Sequence, residues 1–144
     1  MSLADPYLFV ERDDQLSALC ARLAQAEWLT VDTEFLREKT YYPQLCLIQV
    51  ASPTEVACID PQKVGSLDPL VALFADPNIL KIFHAARQDM ELFWHSHRML
   101  PAPVFDTQVA APLLGYPEQM GYAALVKERL GADIDKSETR TDWS

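Results

Sequence analysis

Glycine is scarce in this chain, four in 144 residues, and no glycine-rich phosphate loop is present. No apolar run approaches the roughly 20 residues that a membrane-spanning helix needs, so no membrane association is expected. The opening residues, MSLADPYLFVERDD, lack a basic stretch followed by an apolar core. No secretory leader is therefore expected, and the expected location is the cytoplasm. Cysteine is sparse as well. Cys20, Cys46 and Cys58 are odd in number, far apart and without a C-x-x-C pair, which argues against a zinc site or a disulfide framework. Each lies among apolar neighbours and reads as a small buried hydrophobe. Basic residues are outnumbered, 12 against 21 acidic, for a net charge of −9. Such a surface repels phosphate backbones and argues against broad, non-specific nucleic-acid binding. Any role on a polyanion then needs cations in the site, a local basic patch, or a basic region outside this chain.

What is present describes a globular α/β domain. Hydrophobic residues make up 49% and charged residues 23%, and the length suits one domain over 1–144. Residues 13–26 carry Leu16, Leu19, Cys20 and Leu23 at helical spacing, with Asp13 and Asp14 placed to cap the start. Strands are expected over Trp28–Phe35, Leu45–Ala51, Glu55–Asp60 and Ile79–His84. The turn at Pro53-Thr54 is short enough to make the second and third an antiparallel hairpin. A helix from Gly65 stops near Asp76-Pro77, and another covers 85–97. A short extended segment reaches Phe105, and helical stretches follow over 107–114 and 121–130, the last ending at Gly131. The order predicts a mixed sheet flanked by helices: a three-stranded antiparallel meander joined by a helical crossover to a parallel strand.

Asp32 and Glu34 stand out because both lie in the first strand. Alternation puts them on one face, about 6.6 Å apart along the backbone, while Leu29, Val31, Thr33 and Phe35 share the other. Two carboxylates so close raise each other's pKa unless a cation lies between them. Hard divalent ions such as Mg²⁺ or Mn²⁺ take oxygen ligands and commonly use one or two carboxylates plus phosphate oxygens. Asp89, in FHAARQDMELF, falls in the first turns of the helix after the fourth strand. Met90 and Phe93 flank it on the apolar side, so it should face the sheet near the acid pair. Helix capping is the alternative for Asp32 or Thr33, and a first-turn dipole partner for Asp89. Asp106, in VFDTQ, suits an N-cap better than a ligand. His84, at a strand end, suits a packed, hydrogen-bonded ring better than a base. His95 and His97 fall on different helix faces and do not make a joint metal site.

The segments VDTEFLREKTYYPQLCLIQVAS, IFHAARQDMELF, VFDTQVAA and DKSETRTDW, in that order, resemble the ribonuclease D branch of the DEDD 3′–5′ exonucleases. The resemblance runs from about Ala26 to the last residue. It implies a ribonuclease H-like fold and two-metal phosphodiester hydrolysis at single-stranded RNA 3′ ends, with Mg²⁺ or Mn²⁺ as cofactor and tRNA precursors among the expected substrates. Asp32 and Glu34 match the first exonuclease motif and Asp89 the acid of the second, so all three are implied as catalytic metal ligands. Phe35 and Leu36 are candidates to stack against the terminal bases, with core packing the equal alternative. His84 is carried with them as a substrate-contacting candidate.

The chain also departs from the family pattern. The third motif, a tyrosine followed by a fourth aspartate, lies beyond TDWS. Asp142 belongs to the segment before it, and Tyr116 and Tyr122 do not precede an acid in that manner. Ala86 replaces the glycine common after His-Ala. The resemblance thus implies an exonuclease domain truncated at its C-terminus, weak or inactive by itself. Apolar surface left uncovered makes self-association or a loosened C-terminal region the expected consequence. A binding module that grips nucleic acid or protein without cleaving it is the alternative function.

Overall fold

The alternating strand in the first quarter of the chain, Trp28–Leu36, becomes the centre of a mixed sheet. In this computed structural model, residues 7–37 and 41–134 are described. Strands Leu8–Val10 (β1), Trp28–Leu36 (β2), Gln44–Ala51 (β3), Val56–Ile59 (β4), Leu80–Phe83 (β5) and Val104–Asp106 (β6) line up in the order β1-β4-β3-β2-β5-β6. The β2–β3 and β3–β4 pairs are antiparallel. The β1–β4, β2–β5 and β5–β6 pairs are parallel. The expected meander and parallel crossover are thus both present. β1 was not expected, because three residues are too few to show a period of two.

Helices Asp13–Leu23 (α1), Asp68–Ala75 (α2) and Arg87–His97 (α3) bring their apolar stripes to the sheet, and Thr107–Ala110 (α4), a 3₁₀ turn over Ala111–Leu114, and Tyr122–Leu130 (α5) follow. Leu16, Leu19 and Leu23 of α1, Leu70 and Phe74 of α2, and Leu92 and Phe93 of α3 share a core with Leu29, Val31, Ile48 and Ile59. Phe74 and Phe93 meet edge to face, centroids 5.3 Å apart, a favoured aromatic geometry. Among the described residues, no helix is long and apolar enough to cross a membrane.

The start of α1 corrects the expected caps. Arg12 is the N-cap, and Gln15 Oε1 accepts the N–H groups of Glu11 and Arg12. Asp13 Oδ1 accepts instead from the N–H groups of Gly65 and Ser66, at 2.8 and 3.2 Å. A long-range pair of donors outcompetes the local cap because it also ties α1 to the loop before α2. A Cβ at Gly65 would stand 2.7 Å from Asp13 Oδ2, so a larger residue there would push this carboxylate off its two donors.

Lys81 is the unexpected core residue. It lies in β5 with 0% exposure, and its Nζ donates to the carbonyls of Asp76, Ile79 and Ala102 at 2.5, 2.7 and 2.8 Å. An ammonium has three N–H donors, and all three are used.

Candidate active site

Asp32 and Glu34 rise from the same face of β2 into a cleft of about 1030 Å³, whose walls include Gln49, His84, Thr107 and Tyr122. Asp32 pairs with Gln49 and Glu34 with Leu47, but Phe35 pairs with Leu45. Cys46 is therefore an extra residue on β3, a bulge placed against the last acid of the pair. Bulges kink and twist a strand, and so re-aim the side chains beside them. Local sequence carries no sign of it, because register is a property of two strands.

Burial and mutual repulsion both act on the two acids. Burial raises the pKa of Asp32, although the Thr33 backbone N–H and the nearby His84 oppose the rise. Burial also raises Glu34, and the Asp32 charge adds to it. Asp89 comes from α3 to β2, where the Thr33 hydroxyl donates to its Oδ1. Burial pushes Asp89 up to about 6; Asp32 and Asp106 add to the rise and the Thr33 bond opposes it. Asp89 is buried, as the apolar flanks of its helix position predicted. Thr33 was missed as a site residue, though the signal existed: alternation turns the residue between the acids toward the crossover helix.

Donor chemistry tests the fit to a metal. Asp32 and Glu34 present hard oxygen donors to one open space, which suits a divalent ion completed by water and phosphate oxygens. Asp89 is engaged by Thr33. Among the described residues, no group of three or more His, Cys, Asp and Glu side chains is gathered to hold a metal ion. The residues fit a two-carboxylate platform with a third acid held close by, and not a closed cage.

Of the remaining candidates only His84 shares the cleft. Phe35 packs half-buried against the core, and neither it nor Leu36 lines the cleft. His84 lines the cleft with both nitrogens engaged: Nδ1 with Thr107 Oγ1 and Nε2 with the Met120 carbonyl, each 2.8 Å. Since a carbonyl only accepts, Nε2 carries a hydrogen. His95 stacks near Tyr42, 4.9 Å between centroids. Asp106 is the N-cap of α4, accepting from Gln108 N–H, as expected, and it does more than that. Ala86 has φ −68°, so an alanine in place of the glycine costs no backbone strain. The left-handed residue is Ala85, at φ 62°. Cys20, Cys46 and Cys58 are free and buried. Asp142 and the DKSETRTDW segment lie outside the described residues.

Known proteins share this sequence pattern and fold. A family model described as 3′–5′ exonuclease matches residues 7–144. A protein named Ribonuclease D from Acidiphilium cryptum is 50% identical over 144 residues, covering 99% of this chain and 36% of that protein. Escherichia coli RNase D, described as an exoribonuclease involved in structured RNA processing, superposes with a TM-score of 0.92 at 42% identity, covering 96% of this chain and 37% of that one. The catalytic core of RRP6 from Trypanosoma brucei superposes with a TM-score of 0.89 at 28% identity, covering 99% and 40% respectively. The chain thus spans about a third of the length of the curated relatives it matches.

Proposed function

The chain belongs to the 3′–5′ exonuclease family, and on that premise we propose that it carries part of a metal-dependent site that hydrolyses phosphodiester bonds at RNA 3′ ends. The observation that carries the reading is the acid pair: two carboxylates on one face of a central strand, open to a cleft, with a third acid against the same strand. Such a pair is expensive to keep without a cation. Asp32 and Glu34 would hold Mg²⁺ or Mn²⁺, with Asp89 as the further ligand, and the bound ion supplies Lewis-acid stabilisation of charge on the phosphate.

The chain's own residues orient the rest. Thr33 fixes one oxygen of Asp89. The β3 bulge sets the aim of Glu34. His84 holds the Met120 segment at the cleft rim, so its role toward substrate is to shape that wall. Single-stranded 3′ ends are the proposed substrate, because unpaired nucleotides fit an open cleft, and structured precursors such as tRNA are the proposed source. Buried free cysteines support a cytoplasmic setting.

A binding module without cleavage is the second reading, favoured by the lack of a three-ligand group among the described residues. Self-association is proposed beside either, supported by Val109, Leu113 and Leu130, which are 73%, 88% and 76% exposed. Light scattering that returns a monomer at all concentrations would refute it. The function is tested with 3′-labelled single-stranded RNA and Mg²⁺ or Mn²⁺, using this chain and one lengthened to the span of its relatives. Shortening of the label by the lengthened chain, lost in its Asp32→Ala variant, is expected. An inactive lengthened chain, or an Asp32→Ala variant as fast as the parent, would overturn the exonuclease reading.

A further inference from the structure

The link from β5 to α3 is only three residues, His84, Ala85 and Ala86. In that space the chain must leave the sheet and start a helix whose first turn carries Asp89. Ala85 makes the reversal at φ 62°, in the left-handed region that side chains with a Cβ avoid and glycine enters freely. Something outside the turn has to hold it there.

Asp106 is the group in position to do so. It ends β6, and the parallel register sets it beside Phe83, the last residue of β5. Its Oδ1 accepts the Ala85 N–H at 2.9 Å and the Gln108 N–H at 2.8 Å, and its Oδ2 accepts the Ala86 N–H at 2.8 Å. Burial pushes this carboxyl up, but the N–H groups of Ala86, Ala85 and Gln108 outweigh it and leave its pKa below the ordinary range. Thr107 adds a second tie between the same segments, donating to the Phe83 carbonyl at 3.2 Å and contacting His84. From Ala86 the helix runs directly on, the Ala86 carbonyl accepting Met90 N–H at 2.9 Å. The direction of the Ala85–Ala86 peptides therefore sets where Asp89 points.

We propose that Asp106 is a positioning residue: its carboxylate clamps the left-handed Ala85 turn and thereby aims Asp89 at Thr33, the residue between the two acids of β2. The inference rests on the reading of Asp89 as a metal ligand, and it adds a requirement that no ligand list contains. Its function is mechanical. It keeps a strained peptide in the one orientation that delivers the third acid to β2.

The test is a double-mutant cycle between Asp106→Ala and Ala85→Gly, read by amide hydrogen exchange and by calorimetric titration with Mn²⁺. Asp106→Ala should speed exchange of the Ala85 and Ala86 amides roughly tenfold or more and weaken Mn²⁺ binding roughly tenfold, as expected for lost bonds to a charged acceptor. Ala85→Gly alone should change Mn²⁺ binding less than about twofold, yet recover most of the loss in the Asp106→Ala background, since glycine holds the turn unaided. A residue that merely stabilises the fold would lower the melting temperature without this site-specific rescue. If Asp106→Ala does not fold, Asp106→Asn is read in its place. It keeps one acceptor oxygen, and should release the Ala85 or the Ala86 amide with a smaller Mn²⁺ loss. Unchanged exchange and Mn²⁺ affinity in the Asp106 variants, or no rescue by Ala85→Gly, would overturn the clamp. If the parent chain binds no Mn²⁺, the metal reading of Asp89 fails, and faster or unchanged exchange of the Ala85 and Ala86 amides in the Asp106 variants alone decides the clamp.

Discussion

Two buried charges lie toward opposite ends of the sheet, and the protein treats them in opposite ways. Lys81 has three donors and three carbonyls to receive them. Burial lowers its pKa while Asp76 raises it. Asp89 has one hydroxyl donor and two neighbouring carboxylates that add to the rise caused by burial. The first is a charge satisfied by the chain alone, and it joins the α2–β5 and α3–β6 connections. The second is a charge set among like charges and opposed by burial. A buried charge met by three carbonyls speaks for architecture, and a buried acid with its pKa pushed up beside other acids is what a site of chemistry is built from.

The contrast can be broken at either end. The largest expected effect is on catalysis: in a chain lengthened to the span of its relatives, Asp32→Ala should slow RNA shortening about 1000-fold or more. Its thermal unfolding should stay within a few degrees of the parent. Next comes Lys81→Met, which strands three carbonyls and should lower stability by about 3 kcal/mol in urea titration. Asp89→Asn should have the opposite sign. Its folded pKa, about 6, lies above the ordinary 3.8, so the folded state holds a proton that the unfolded chain releases. Stability from this group is full below about pH 4, falls as pH rises to about 6, and stays lowest above that. Asn keeps an acceptor for Thr33 without the charge. The variant should therefore be more stable than the parent by on the order of 2 kcal/mol at pH 8, and nearly equal at pH 4. A destabilised variant at pH 8 would place Asp89 with Lys81, as architecture. The smallest effect belongs to the surface. Arg22→Ala removes a 3.0 Å bridge to Glu55 and should leave the urea midpoint almost unchanged, because solvent screens an exposed pair.

Much of this was legible in the residues before the fold was known, and the parts that were not share a cause. Alternation in WLTVDTEFL placed Asp32 and Glu34 on one face and Leu29, Val31 and Thr33 on the other. The crossover helix placed Asp89 near them. Both depend on local period and on the rule that a parallel strand returns beside its neighbour. The misses were long-range. Asp13 prefers two N–H groups of the Gly65–Ser66 loop over the cap of its own helix. The Cys46 bulge exists only in the register of β3 against β2. The reach of Asp106 beyond its own helix follows from β6 lying beside β5. β1 is a strand because β4 offers it an edge, not because LFV has a pattern.

The strand order has a consequence in time. β2, β3 and β4 pair with their neighbours in sequence, whereas Phe9 must find Cys58 and Thr30 must find Ile82 across far longer stretches. Closing the short loops comes first, since longer loops lose more entropy before any contact forms. The meander should therefore be the folding nucleus, with the acid pair already displayed on it. The β5–α3 crossover, and Asp89 with it, docks afterwards. In stopped-flow experiments, core truncations such as Ile48→Val should slow folding, while truncations in α3 such as Leu92→Ala should mainly hasten unfolding. The meeting of Asp89 with Thr33 is then among the last events of folding, so a chain that has not finished folding holds its three acids apart.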